Sequence, residues 1–269
     1  TDAEAFYPVR IDPTFSDADW VGLNPGFPGA SGSVAAMAVD GDGNLYAGGS
    51  FRFIGTVPLN YIAKWNGSVW SALGSGMDSR VNALAVSGSD LYAGGIFTTA
   101  GGVSANGIAK WNGSSWSALG SGVTNGFAST VNALAVIGSD LYAGGPFTTA
   151  GGVTANGIAK WDGSAWSALG SGMGNGGSVG ALAVIGSNLY VGGGFTTAGG
   201  VAANNIARWN GSAWSNLGTG TDLAVGALAV SGTNLFVGGA FSKAGNMTVN
   251  CIARWNGSAW SDRKSTRLN

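Results

Sequence analysis

The tryptophans of this sequence fall into pairs whose spacing suits ligand binding. Ten of the 11 Trp lie in five pairs, each pair separated by four residues that include Asn-Gly or Asp-Gly. The first members are Trp65, Trp111, Trp161, Trp209 and Trp255, and the second members are Trp70, Trp116, Trp166, Trp214 and Trp260. An indole ring has a broad apolar face and a polar N–H, so a solvent-facing indole can stack on a sugar. We predict that the second set binds ligand, with packing of the paired rings across a hairpin as the alternative.

A set of asparagines is the second candidate for ligand binding. Positions 60, 106, 156, 204 and 250 all carry Asn in aligned copies of one repeated phrase; these residues are Asn60, Asn106, Asn156, Asn204 and Asn250. Their amides could bond the hydroxyls of a ligand, or they could bond loop backbone, as Asn does in turns. The aligned phenylalanines Phe51, Phe97, Phe147, Phe195 and Phe241 are predicted to be core residues.

A third set consists of one cation before the first Trp of each pair: Lys64, Lys110, Lys160, Arg208 and Arg254. If the repeats are arranged radially, these five charges lie at the same distance from the central axis and could select an anionic ligand. The alternative is that each stem covers apolar surface, with its charged end near Asp90, Asp140 or the Asn that replaces them.

Residue types that support catalysis are scarce. The sequence has no His, and Glu4 is its one Glu, so a His-dependent nucleophile is excluded. Cys251 stands where two other copies carry Gly107 and Gly157, so we predict that it is a small buried substitution. The run DGDGN at 40–44 resembles the start of a calcium loop but lacks the later acidic ligand, so we predict an ordinary turn. We therefore expect no enzyme activity, no cofactor and no metal site.

Charge and hydropathy exclude two classes of partner. The net charge is -1 and 9% of residues are charged, which argues against nucleic acid, since phosphate binding requires clustered Lys and Arg. No apolar run reaches about 18 residues, so membrane insertion is not expected. A single Cys excludes an internal disulfide framework.

The paired tryptophans belong to a longer repeated unit. Copies 46 to 50 residues apart begin at Val34, Val81, Val131, Val179 and Val225. Each contains four short apolar runs bounded by Gly, Ser and Asn, which predicts four β-strands. Asn112-Gly113 predicts a two-residue type I′ hairpin turn, which places Trp111 and Trp116 diagonally on one face. A period of this length without helices favours a radial arrangement of blades over a stacked solenoid.

Phrases within the repeated unit resemble the repeats of known protein families. The phrase LYAGGIF followed by IAKWNGSSW resembles the kelch pattern, and FTTAGG followed by NGIAKW, with IDPTF at 11–15, resembles bacterial delta-60-type repeat propellers. The resemblance implies an all-β fold, a β-propeller of four-stranded antiparallel blades. Its motifs indicate a fold rather than a chemistry.

The repeat also predicts the organisation of the chain. Residues 1–33 form an N-terminal segment in which 20–26 (WVGLNPG) matches the fourth-strand phrase WSALGSG and supplies a closing outer strand. The propeller repeats occupy 34–262 as units 34–80, 81–130, 131–178, 179–224 and 225–262. The tail 263–269 matches nothing else in the chain and looks foreign to it. Five blades are favoured, and a six-bladed or truncated ring is the alternative.

Two functions fit these features. The first is a multivalent, lectin-like carbohydrate-binding module, secreted or at the cell surface, whose near-identical sites would act through avidity. The second is a structural or adhesive protein-interaction module of a larger extracellular or cell-surface protein. The expected partners are glycans or surface proteins, and the oligomeric state is left open.

Overall fold

The structure is a computed structural model that describes residues 29–126, 129–174 and 176–262. All regular secondary structure in these residues is β. Most of it lies in five four-stranded antiparallel sheets that we call sheets 1 to 5 in chain order, and the rest lies in smaller sheets. No helix in these residues has the length and apolarity needed to cross a bilayer. The predicted closing strand at 20–26 and the tail at 263–269 lie outside the described residues.

Each repeat contributes the same succession of strands. The first repeat has β1 (Val34–Val39), β2 (Leu45–Gly49), β3 (Phe53–Ile54), β4 (Val57–Pro58), β5 (Ile62–Trp65) and β6 (Trp70–Ser71). The second has β7 (Val81–Ser87), β8 (Asp90–Gly95), β9 (Thr99–Ala100), β10 (Val103–Ser104), β11 (Ile108–Trp111), β12 (Trp116–Ala118) and a short extra strand, β13 (Val123–Thr124). The third has β14 (Ala133–Ile137), β15 (Asp140–Gly144), β16 (Thr149–Ala150), β17 (Val153–Thr154), β18 (Ile158–Trp161) and β19 (Trp166–Ala168).

The last two repeats follow the same plan. The fourth has β20 (Ser178–Ile185), β21 (Asn188–Gly194), β22 (Thr197–Ala198), β23 (Val201–Ala202), β24 (Ile206–Trp209) and β25 (Trp214–Asn216). The fifth has β26 (Val225–Ser231), β27 (Asn234–Gly239), β28 (Lys243–Ala244), β29 (Met247–Thr248), β30 (Ile252–Trp255) and β31 (Trp260–Ser261). Sheet 1 has the order β1-β2-β5-β6 and the others repeat it, while β3 and β4 with their equivalents form small hairpins. The hairpin of the third repeat, β16 and β17, is joined by β13 of the second repeat.

The sheets are arranged with their first strands side by side. Strands β1, β7, β14, β20 and β26 contact one another in succession, so the first strands of successive sheets lie next to each other. The core lies between the sheets, and each of four hydrophobic clusters joins residues of two successive sheets. The phenylalanine prediction is confirmed, because all five rings are buried.

Successive sheets approach closely at a glycine. A Cβ atom on Gly48 of β2 would lie 2.5 Å from Val81 Cγ1 of β7, so the side chain of the next sheet occupies the space that a larger residue would need. Packing between sheets therefore explains the first glycine of the pair. The second, Gly49, lies against backbone of its own repeat, at Ser33 and Val34.

The hairpin turn differs from the sequence prediction. Trp111 pairs directly with Trp116, so the loop has four residues rather than two, and the rings are opposite one another rather than diagonal. Gly113 has a φ of 96°, but Asn112 is not among the residues with positive φ, so the turn is not type I′. Instead Asn112 Oδ1 accepts hydrogen bonds from the backbone N–H groups of Ser114 and Ser115. The type I′ prediction was wrong because it left out this side-chain cap.

Candidate binding grooves between adjacent sheets

The second tryptophan of each pair ties neighbouring sheets together. The Nε1–H of Trp116 donates to the Leu73 carbonyl at 2.8 Å, and that of Trp166 donates to the Leu119 carbonyl at 2.8 Å. The same bond joins Trp214 to Leu169 and Trp260 to Leu217. The paired rings have centroids 5.2 to 5.5 Å apart in all five copies.

These contacts give the second set an architectural role. Trp116, Trp166 and Trp214 are buried, whereas Trp70 and Trp260 are partly exposed. Trp70 packs against a smaller cluster within the first repeat. Ligand binding by these indoles stays a prediction, although four of the N–H groups already have a backbone partner.

The asparagine set bonds loop backbone. Each Nδ2 donates to the carbonyl of the residue 15 positions later, at 3.0 to 3.1 Å: Asn60 to Ser75, Asn106 to Ser121, Asn156 to Ser171 and Asn204 to Thr219. The residue 15 positions after Asn250 is residue 265, which lies outside the described residues. These bonds are the structural alternative considered above, and a ligand role for the set stays a prediction.

Four of the repeated cations lie across from a tyrosine of the second strand, and the fifth, Arg254, lies across from Phe236. Lys160 pairs with Tyr142 in the β15–β18 ladder, and its Nζ donates to Asp140 Oδ2 at 3.0 Å. Each charged side chain of this ion pair is about one third exposed. The hydrogen bond to Asp140 raises the pKa of Lys160, against the opposing effect of burial.

Other repeats hold the cation in different ways. Lys110 pairs with Asp90 at 3.1 Å, and Lys64 Nζ lies 5.5 Å from the centre of the Tyr46 ring. In the last two repeats, arginine Nε atoms donate to serine hydroxyls: Arg208 to Ser215 and Arg254 to Ser261. The predicted proximity of the lysines to Asp90 and Asp140 is confirmed.

Between sheets 3 and 4 these residues form a groove of about 310 Å³. Asp140, Tyr142 and Lys160 line it from sheet 3, and Trp209 with Gly211 lines it from sheet 4. Burial raises the pKa of Tyr142, so the phenol is neutral at pH 7 and can donate and accept hydrogen bonds. We call this combination of second-strand tyrosine, cation and next-sheet tryptophan an inter-sheet groove.

The tyrosine–tryptophan part of this combination recurs at each junction. One cluster brings Tyr142 together with Trp209, and the other three contain Tyr46 with Trp111, Tyr92 with Trp161, and Tyr190 with Trp255. Sequence reasoning missed these tyrosines as site residues. The available signal was their recurrence at 46, 92, 142 and 190, two positions before the double glycine.

A second hollow of about 290 Å³ lies between the last two repeats. Asn246, Trp255 and Trp260 are among its lining residues, so one pair of tryptophans contributes directly to a concave surface.

Two aspartates join one repeat to the next through hydrogen bonds. Asp78 accepts bonds from the Thr98 and Thr99 backbone, and from the Thr98 hydroxyl at 2.6 Å. Burial opposes these bonds, yet together they lower the pKa of Asp78. Asp222 has the same role toward Ser242 and Lys243, and the Ser242 hydroxyl leads the bonds that lower its pKa. This role was not expected from the sequence.

The DGDGN run forms a turn. Asp40 Oδ1 accepts bonds from the backbone N–H groups of Asp42 and Asn44, and Asp40 Oδ2 accepts from the Tyr46 hydroxyl. In the part of the chain that the structure describes, no group of three His, Cys, Asp or Glu side chains could hold a metal ion. Cys251 is exposed, so the prediction that it is buried was wrong. It precedes Ile252, which is itself exposed at the uncovered face of sheet 5.

Solved structures resemble this fold at low sequence identity. A chain of the mitotic checkpoint complex matches 95% of this chain and 72% of its own length, with a TM-score of 0.54 and 17% identity. The extracellular domain of the putative one-component system BT4673 from B. thetaiotaomicron matches 87% of this chain, with a TM-score of 0.55 and 14% identity, but this match covers 28% of that chain. The structure of YCF48 bound to D1 peptide matches 87% of this chain and 68% of its own, with a TM-score of 0.51 and 14% identity.

No protein-family model and no curated protein sequence matches the chain. At these identities the likeness of the solved structures concerns the fold alone, and the kelch and delta-60 resemblances stay predictions. The repeated four-stranded antiparallel sheets and these structural neighbours make this a repeat protein of the β-propeller type.

Proposed function

We propose that this protein is a non-catalytic binding module that recognises protein partners through its inter-sheet grooves. The observation that carries the proposal is the recurrence of tyrosine, cation and next-sheet tryptophan at successive junctions. Tyr and Trp are enriched at protein interfaces, because they combine a large apolar area with a directional polar group. A structural neighbour described as bound to a peptide supports this class of partner.

The arrangement favours a partner that contacts several grooves at once. The groove between sheets 3 and 4 has a volume of only about 310 Å³, so one such groove alone supplies little buried area. Because strands hold the groove residues at fixed positions, an extended or repeated partner can engage neighbouring grooves together and gain avidity. The extracellular setting inferred from the sequence is part of the proposal, and one neighbour is itself an extracellular domain.

Glycan binding is the second candidate. The observation that favours it is the hollow lined by Asn246, Trp255 and Trp260, where indole rings and an amide share one concave surface. A sugar could use the exposed part of these rings for stacking and the amide for a hydrogen bond.

The test compares a groove variant with a control on a peptide array and on a glycan array. The groove variant carries Lys110→Met and Lys160→Met, which remove two rim charges that are each about one third exposed and cost little stability. Lys243→Met is the control, because Lys243 is exposed on a small hairpin. Peptide binding should fall at least 10-fold in the groove variant and be unchanged in the control.

Two results would contradict the proposal. Equal peptide binding by the groove variant and wild type would remove the grooves as the site. Glycan binding without peptide binding, weakened by Trp260→Phe, would favour the second candidate.

A further inference from the structure

Successive sheets meet through one arrangement that the molecule builds four times. At the junction of sheets 4 and 5, a Cβ on Gly192 would lie 2.5 Å from Val225 Cγ1 and 3.5 Å from Leu228 Cδ1. Ile206, which pairs with Gly192 in the ladder, is 0% exposed there. The other junctions use Gly48 with Ile62 and Val81, Gly94 with Ile108 and Val131, and Gly144 with Ile158 and Val179.

Sheet 5 carries the glycine half of this arrangement, and none of the described sheets packs on it. Ile252 pairs with Gly238 in the ladder and is 40% exposed, whereas its four counterparts are 0% exposed. The described atoms nearest to a Cβ on Gly238 would belong to Ala227 and the Cys251 carbonyl of the same sheet, at 3.7 Å or more. We call Gly238 and Ile252 the acceptor face.

Sheet 1 carries the opposite half. Val34 is 43% exposed, whereas Val81 and Val131 at the equivalent position are 0% exposed. Met37 and Val39 on the same strand are 67% and 61% exposed. We call Val34, Met37 and Val39 the donor face.

We propose that the donor face of one molecule packs on the acceptor face of a second copy, so that molecules associate head to tail. The two faces are the separate halves of a junction that already forms four times within the chain, so a second copy brings the matching shape and apolar character. Both faces expose apolar side chains that packing would remove from water. The junction is heterologous, because two different surfaces meet. The inference does not depend on the proposed function.

Head-to-tail association can be tested with single substitutions, each of which blocks either the donor face or the acceptor face. Met37→Asp places a charge on the donor face, at a side chain that is already mostly exposed. Gly238→Val adds a side chain to the acceptor face, where its Cβ has room in the single molecule. Ile252→Lys is a second acceptor-face variant in case Gly238→Val perturbs folding. Gly192→Val is the matched control, since the same change within an occupied junction should lower the melting temperature.

The readout is molar mass by sedimentation velocity at increasing protein concentration, with circular dichroism to verify folding. Wild type should form species larger than a dimer as concentration rises, and each single variant alone should stay monomeric. An equimolar mixture of Met37→Asp and Gly238→Val should reach twice the monomer mass and no more, because each supplies the face that the other lacks.

Three results would overturn the inference. The first is a wild type that stays monomeric, and the second is association of both folded variants to the same extent as wild type. The third is a monomeric wild type that binds a synthetic peptide of residues 81–95, which would assign the acceptor face to a further sheet of the repeat instead of a second copy.

Discussion

Replacing Trp166 by Phe tests whether the second tryptophan set joins the sheets. The substitution removes the indole N–H that donates to the Leu119 carbonyl at 2.8 Å across the junction of sheets 2 and 3. Trp166 is 6% exposed and Leu119 is 2% exposed, so water cannot easily replace the lost donor. A buried carbonyl left without a partner costs about 1–3 kcal/mol. We expect the free energy of unfolding to fall by this amount beyond the loss due to the smaller ring.

Trp161→Phe is the matched control for ring size. Trp161 packs against Trp166 with centroids 5.4 Å apart, but no hydrogen bond of its Nε1 is seen among the described residues. Urea unfolding followed by circular dichroism would give both free energies, and the excess loss for Trp166→Phe should be about 1–3 kcal/mol. Equal losses in the two variants would refute the conclusion that the cross-sheet bond stabilises the fold.

Three further predictions concern turns and junctions. Asn106→Ala removes a bond to loop backbone, so stability should fall by about 1 kcal/mol with groove binding unchanged; intact stability with weaker glycan binding would instead indicate a ligand site. Hydrogen bonds, led by that from the Ala165 backbone, lower the pKa of Asp162 to about 2. The ionised Asp162 carboxylate therefore stabilises the fold above its unfolded pKa of about 4, and this stabilisation is lost as pH falls toward 2. Asp162→Asn, the residue of the other repeats, should weaken this acid dependence in thermal melts from pH 2 to 6, and an unchanged profile would contradict the assignment. Gly94→Ala places a Cβ 2.5 Å from a valine methyl of the next sheet, so it should lower the free energy of unfolding in urea by about 1–3 kcal/mol. The control Gly41→Ala, whose Cβ would have nothing within 4 Å, should change the free energy of unfolding by less than about 0.5 kcal/mol. Equal effects of these two glycine substitutions would show that the close approach is not limiting.

Local signals in the sequence predicted the repeated unit well. The four runs per copy and the buried phenylalanines were predicted correctly, because both depend on short-range patterns of apolar residues and turn residues. The type I′ turn was predicted wrongly, although it is also local. Asn112 and its counterparts cap the loop with a side chain, and the dipeptide rule does not account for such a cap.

The candidate site depended on contacts between repeats. The recurrence of Asn106 and Trp116 in every copy could indicate ligand or architecture, and the sequence left both open. The structure shows their amide and indole donors bonded to backbone, the indole to a residue 43 positions earlier. Tyr142 and Trp209 meet only because adjacent sheets pack together.

The sequence by itself determined the unit, its strands and the residues that face the core, because alternation and turn chemistry act within a few residues. Tertiary structure alone decided which polar groups bond across sheets, where grooves form, and which apolar faces of the described sheets are uncovered. The identical phrase that buries Ile206 leaves Ile252 40% exposed, since burial depends on whether another sheet lies against it. Nearly identical repeats have the same local conformational preferences, so the burial of equivalent residues differs only where the repeats have different neighbours in space.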